Sequence, residues 1–196
     1  MRALTTPVGP LQVWLFIALS LVFFAFLIQA SMRKGSDSSA KRDNRSRLGI
    51  ILQSVGIGLA GFGPVIPTLP LTDPLALAGS VAVVALMGGA IALFALSARA
   101  LGQNWSVVAR MRDDHQLVRH GPYAHVRHPI YVGMLLFLLG LATALGHFIQ
   151  LVIAVPLFLA GTLIRTRIED RLLADRFGDS FTAYARETPA LIPRLR

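Results

Sequence analysis

The 196-residue chain contains no cysteine, which excludes disulfides, thiolate nucleophiles and cysteine-type zinc sites together. Charge is also scarce. Asp, Glu, Lys and Arg make up 15% of the residues, against roughly 25% in an ordinary soluble domain. There is no G-x-S-x-G nucleophile elbow, no Walker phosphate loop and no H-E-x-x-H pair, so the usual signatures of a serine hydrolase, a P-loop enzyme and a zinc protease are missing.

In their place stand long apolar runs. Hydrophobic residues account for 54% of the chain, and a bilayer-crossing helix needs about 20 of them in succession. Residues 11–30 and 48–70 carry no charge, and residues 77–98 form a third uncharged run ending at Arg99. Residues 129–165 stay uncharged until Arg165. Thirty-seven residues are too many for one crossing, and they suit a helical hairpin turning at Gly146-His147. The expected architecture is an all-α integral membrane protein of about five transmembrane helices, including this C-terminal hairpin, followed by an amphipathic helix. The first run is too long for the apolar core of a removable signal peptide and is expected to remain as a span.

The net charge of +9 raises the question of nucleic acid, but the placement of the charge points elsewhere. Segments 31–47, 99–128 and 165–196 hold every Lys and Arg except Arg2, while the turns near 70–76 and 146–147 carry only Asp73. By the positive-inside rule the basic side is cytoplasmic, which puts the N-terminus outside and the C-terminus inside. Attraction to anionic lipid accounts for the basic excess, and no nucleic-acid partner is expected.

Segment 31–47 mixes Ser, Gly and charge without hydrophobic period and reads as a cytoplasmic connector. Gly56-Ile57-Gly58-Leu59-Ala60-Gly61 matches the dinucleotide fingerprint in letters only, because it lies inside an apolar run rather than at a strand-to-helix turn. Such glycines let membrane helices approach closely. Trp105 reads as an interfacial anchor. Leu163, Ile168, Leu172, Leu173 and Phe177 recur at near-helical spacing, so an amphipathic helix should continue out of the last span and stop at Gly178, with the end from Phe181 to Pro193 folding back.

The stretch His115 to Tyr131, HQLVRHGPYAHVRHPIY, concentrates four histidines, two tyrosines and two prolines between apolar runs. Pro122 and Pro129 push the residues before them out of helical geometry, so His128-Pro129 should open the fourth span. Only His125 and His128 among the histidines are near helical spacing, and no carboxylate pattern accompanies them, so a metal site is not expected. The segment reads instead as a ring-lined pocket for a polar ligand at headgroup level. Methyl transfer from a sulfonium suits such a pocket, because the electrophile is already activated and holding the reactants in line achieves much of the catalysis.

Gly121-Pro122-Tyr123, then Arg127-His128-Pro129-Ile130-Tyr131-Val132-Gly133, an apolar hairpin, an arginine with acidic residues, Phe177-Gly178, Tyr184 and Ile192-Pro193 follow in order. Over residues 100–195 this combination resembles the isoprenylcysteine carboxyl methyltransferase family and the wider phospholipid methyltransferase group. The resemblance implies S-adenosylmethionine as cofactor in a cytoplasm-facing pocket, lined by His115, Gln116, Leu117, Val118 and Tyr123 and completed by His128, Pro129, Ile130 and Tyr131. It implies that Glu169 contacts the cofactor and that Arg165 holds the carboxylate of a lipophilic or lipid-linked acceptor, the pair lying one helical turn apart. Residues 1–98 would then be three spans with their connector, and residues 99–196 the methyltransferase core.

The chain departs from the family's pattern at Glu169-Asp170, where a Glu-Glu pair is usual, at Phe181-Thr-Ala-Tyr184, where a Tyr-x-x-Tyr is usual, and at Ala109, where a glutamine is common. Carboxyl O-methylation is the leading reaction. Phospholipid or amine N-methylation stands beside it, with His128 or Glu169 as the base it would need. A NADPH-dependent membrane reductase of the sterol reductase type and a non-catalytic membrane scaffold are the other readings. His120, His125 and His147 read as structural or interfacial.

Overall fold

The computed structural model describes residues 5–32, 41–42, 46–102, 110–111 and 116–193. His115, Trp105 and Ala109 lie outside them, as does most of the 31–47 connector. The described residues form five long helices, α1 (Pro10–Met32), α2 (Ser46–Ala60), α3 (Pro74–Leu101), α4 (Pro129–Leu145) and α5 (Leu151–Phe177), with a short α6 (Asp179–Glu187) after them. A two-residue antiparallel pairing joins β1 (Lys41–Arg42) to β2 (Arg110–Met111). The protein is an all-α membrane protein of several apolar spans. α1, α3 and α5 are long and apolar enough to cross a bilayer, and α2 and α4 are shorter apolar helices.

The run 48–70 is not one helix. α2 stops at Ala60, and residues 61–73 run irregularly across the end of the bundle. Pro64, Pro67 and Pro70 lack the amide a helix would need, and Gly63 takes a φ of 146° that side chains avoid. This segment is tied to the N-terminal strap instead. Val8 and Ile66 bond through their backbones at 2.9 Å, Leu69 donates to Val8, and Thr6 donates to the carbonyl of Gly146. α3 begins on Asp73, whose carboxylate accepts from the Leu75 amide at 2.7 Å as an N-cap.

α4 packs chiefly along α3, and α5 chiefly along α2, so the two arms of 129–165 rest on different neighbours. Phe16 and Phe23 of α1, Val83, Met87 and Phe94 of α3 and Phe137 of α4 form one core cluster, with Phe23 5.1 Å from Phe94 and 5.0 Å from Phe137 between ring centres. Ala60, Leu138, Ala142, Ala154 and Phe158 form a second cluster among α2, α4 and α5. Because lipid tails are as apolar as these side chains, close backbone approach matters more than hydrophobicity for such contacts. On α2 the buried residues are Ser46, Gly49, Gln53, Gly56 and Ala60, a stripe of mostly small residues at helical spacing. A Cβ on Gly56 would stand 2.8 Å from the Ala154 carbonyl, whereas one on Gly58 would meet nothing within 4 Å. Of the three glycines in the dinucleotide-like string, Gly56 therefore makes the closest crossing.

Gln12 and His147 are buried polar side chains that find carbonyl partners. Gln12 donates to the carbonyl of Thr143 at 2.9 Å, meeting one of the carbonyls that a helix leaves open at its C-terminus. His147 directs its two ring nitrogens at the Ala60 and Pro64 carbonyls, 3.2 Å each, and so belongs to this end of the bundle. α5 ends at Gly178, whose φ of 52° reverses the chain into α6. The chain then returns to the start of α4: Arg127 and His128 donate backbone bonds to Pro189 and Ala190 at 2.9 and 3.0 Å.

Candidate active site

At the end of the bundle opposite His147, one polar cluster joins the start of α4 to the last turns of α5. His128 has no side-chain capping bond of its own to α4, and its ring faces α5. Nδ1 lies 3.3 Å from a Glu169 carboxylate oxygen and Nε2 lies 2.9 Å from an Asp170 oxygen. Tyr131, in the first turn of α4, donates its hydroxyl to Glu169. Arg165 approaches the same carboxylate at 3.7 Å from one turn back on α5, and its guanidinium lies over the Tyr131 ring at 5.2 Å, within cation–π range. His128 and Arg165 are buried, while the side chains of Glu169 and Asp170 keep about a quarter of their surface exposed. The two carboxylates are thus the most exposed members of the cluster.

His128 lies ahead of α4. Burial acts to lower its pKa, but the bonds from Asp170 and Glu169 outweigh burial and raise it to about 9. The ring is an imidazolium at neutral pH. Tyr123 sits buried in the 3₁₀ turn Gly121–Ala124, and burial together with the nearby Glu169 charge pushes its phenol well above the usual value. It stays a neutral ring. The carbonyl of Tyr123 accepts from the hydroxyl of Tyr184 on α6 at 2.6 Å, so α6 holds the turn in place.

Arg127 fastens the same region from the other side. It donates to Asp170 at 2.9 Å and, at the end of α6, to the carbonyls of Thr188 at 2.5 Å and Ala185 at 3.1 Å. Asp170 thus joins Arg127 and His128 to α5, whereas Glu169 joins His128, Tyr131 and Arg165.

Of the residues singled out in the sequence, Tyr131, His128, Arg165 and Glu169 come together. Pro129 is buried at the helix start. Ile130 packs its side chain on the α1–α3–α4 core, away from the acids. Gln116 is exposed, and Leu117 and Val118 are half-buried in an extended segment before the turn. His120 and His125 are exposed on the loop. Arg127, Asp170 and Tyr184 had no role assigned from sequence, although each lies in the ordered motif string. Gln53 and Thr162 were missed as well: Gln53 donates to the Thr162 hydroxyl at 2.9 Å and accepts from Arg165 at 3.4 Å. The available signal was a lone amide inside an apolar run, where polar side chains are costly.

Residues 80–175 match the model of the isoprenylcysteine carboxyl methyltransferase family. Over this segment the chain is similar to that family. Among curated proteins it is 36% identical over 96 residues to protein-S-isoprenylcysteine O-methyltransferase of Schizosaccharomyces pombe, covering 48% of this chain and 41% of that one. It is 38% identical over 109 residues to the cobalt-zinc-cadmium resistance protein CzcN of Cupriavidus metallidurans, covering 54% of this chain and 49% of the other. The chain thus spans half or less of the length of these relatives. Among solved structures, that of the eukaryotic intramembrane Ras methyltransferase ICMT aligns with a TM-score of 0.59 at 18% identity, over 94% of this chain and 68% of that one. That likeness speaks for a shared fold. The matching segment runs from within α3 to Asp175, near the end of α5, and α1, α2 and α6 lie outside it.

Proposed function

We propose that this protein is an S-adenosylmethionine-dependent membrane methyltransferase acting on a lipophilic or lipid-linked acceptor, with carboxyl O-methylation of an isoprenylcysteine-like molecule as the leading reaction. The observation that carries the reading is the convergence of Tyr131, Arg165 and the partly exposed Glu169 on one cluster at the end of an apolar bundle.

The donor set fits the cofactor. A reachable carboxylate suits its ammonium or ribose hydroxyls, and neutral rings such as Tyr131 and Tyr123 suit an aromatic base and a sulfonium. Glu169, Tyr131 and Tyr123 would hold it, with Gln116, Leu117, Val118 and the His128 to Tyr131 segment alongside. When bound, S-adenosylmethionine supplies a methyl group activated by its positive sulfur. The residues position and shield. Arg165 presents a planar cation that can orient the acceptor's carboxylate, and its place at the end of the apolar bundle lets a hydrophobic tail remain in lipid. A carboxylate acceptor is already anionic, so its methylation would need no base from the protein.

The charge of His128 leaves Glu169 as the base that N-methylation would use. A protonated amine acceptor must lose a proton, and an imidazolium held between two carboxylates cannot take one. The basic excess on segments 31–47, 99–128 and 165–196 supports an active site facing the cytoplasm, with the N-terminus outside.

Calorimetry on detergent-purified protein is expected to show binding of S-adenosylmethionine or its demethylated product and none of NADPH. Glu169→Ala should weaken donor binding about tenfold or more, while Arg165→Ala should leave it nearly unchanged and raise the KM for an S-farnesylcysteine acceptor. NADPH binding would identify a reductase, no binding of either a scaffold, and equal donor titrations for wild type and Glu169→Ala would remove the assignment of Glu169.

A further inference from the structure

We infer that Gln53 of α2 is a positioning residue for Arg165, so that a helix outside the family-matching segment 80–175 sets the acceptor end of the site. The inference rests on the reading of Arg165 as the residue that orients the acceptor's carboxylate.

Gly49 and Gln53 are four residues apart and share one face of α2, and both meet Arg165. A Cβ on Gly49 would overlap Cγ of Arg165 and stand 2.8 Å from the Gly161 carbonyl, so the missing side chain is the seat for the arginine's aliphatic stem. Gly161 is equally tight, since a Cβ there would stand 2.6 Å from the Gly49 carbonyl and 3.0 Å from the Gln53 amide. The two glycines bring α2 and α5 close enough for a glutamine one turn on to reach the guanidinium.

Direction in the hydrogen-bond chain follows from chemistry. A guanidinium only donates, so the Gln53 group 3.4 Å from Arg165 Nη1 is the carbonyl oxygen. Its amide nitrogen then faces Thr162 at 2.9 Å. The Thr162 hydroxyl donates to the Phe158 carbonyl, also at 2.9 Å, leaving its oxygen to accept. Each member can adopt only this orientation. Gln53 and Thr162 are 1% exposed, so no solvent competes for these bonds. An arginine at the end of a span ordinarily snorkels through many rotamers toward headgroups. Here the stem is seated on Gly49, one nitrogen is held by Gln53, and the plane is laid over Tyr131. A carboxylate arriving from lipid meets a guanidinium already ordered, which lowers the entropic cost of capturing it.

The test compares Gln53→Met, which keeps the volume and removes the acceptor, with Thr162→Val and Thr162→Ser. Steady-state methyl transfer to an S-farnesylcysteine derivative bearing a free carboxylate gives acceptor KM and kcat, and calorimetry gives the donor Kd. Gln53→Met is expected to raise acceptor KM about tenfold, the scale of one hydrogen bond to a charged group, with donor Kd unchanged. Thr162→Val should raise it less, and Thr162→Ser should restore it. Gly58→Ala, on the open side of the same helix, should match wild type. An acceptor KM for Gln53→Met equal to wild type overturns the inference while leaving the methyltransferase reading intact. So does a loss divided equally between donor and acceptor with a lowered thermal midpoint, which is the mark of a purely structural role. If wild type transfers no methyl to the carboxylate, the reading and the inference fall together.

Discussion

His128 faces Glu169 through one ring nitrogen and Asp170 through the other, and both nitrogens can donate only when the imidazole is protonated. Folding therefore takes up a proton here. The folded pKa of about 9 stands above an unfolded value near 6.5, so the stabilisation is complete below about pH 6.5 and is lost as pH rises through about 9. A difference of that size corresponds to on the order of 3 kcal/mol. The gap in thermal midpoint between wild type and His128→Gln should accordingly be widest near pH 6.5 and close by about pH 10. Tyr184, whose pKa burial raises to about 12, is common to both proteins and drops out of the difference. A gap that stays constant from pH 6.5 to 10 would show that the ring is not held as a cation. A ring kept protonated by two acids has no free lone pair with which to accept a proton.

Elements in this bundle are placed by the size of their contact residues more than by their hydrophobicity. Gly56 of α2 rests on the backbone of α5, and Gly58, two residues away, faces open space. Gly56→Ala should cost about 1–3 kcal/mol through overpacking, whereas Gly58→Ala should be neutral or gain up to about 1 kcal/mol from helix propensity. Thermal unfolding of the two variants in detergent checks this, and equal midpoints would mean that α2 and α5 cross less tightly than the structure shows. Sequence located these helices because charge-free runs and prolines are local signals: Pro129 starts α4 and Gly178 ends α5 as the pattern indicates. It did not show that α2 would stop at Ala60, since an uncharged run containing prolines reads as apolar whether or not it is helical. The pairing of α2 with α5 and of α4 with α3 was also hidden, because small-residue stripes have no partner written into them. At the site, Tyr131, His128, Arg165 and Glu169 were legible from motif order. The bracing by Arg127, Asp170 and α6 was not, as it depends on how the chain returns after Gly178.

Across the whole molecule, two ends of unlike charge enclose the apolar spans. At one, the strap of residues 5–9, the irregular 61–73 segment and the turn after α4 are bonded together, and the single acidic group in the last two is Asp73. At the other lie Arg127, Arg165 and α6 with the cluster around Glu169. The positive-inside rule converts this asymmetry into an orientation, and the absence of cysteine makes it directly measurable, since any thiol introduced is unique. A single Thr72→Cys in the irregular segment should react in intact cells with a membrane-impermeant maleimide. A single Arg186→Cys on the exposed face of α6 should react only after the membrane is permeabilised. The reverse pattern would turn the protein over and place the Glu169 cluster on the outer side, where cytosolic S-adenosylmethionine could not reach it. Labelling of both positions in intact cells would mean that the chain does not cross the bilayer an odd number of times between residues 72 and 186.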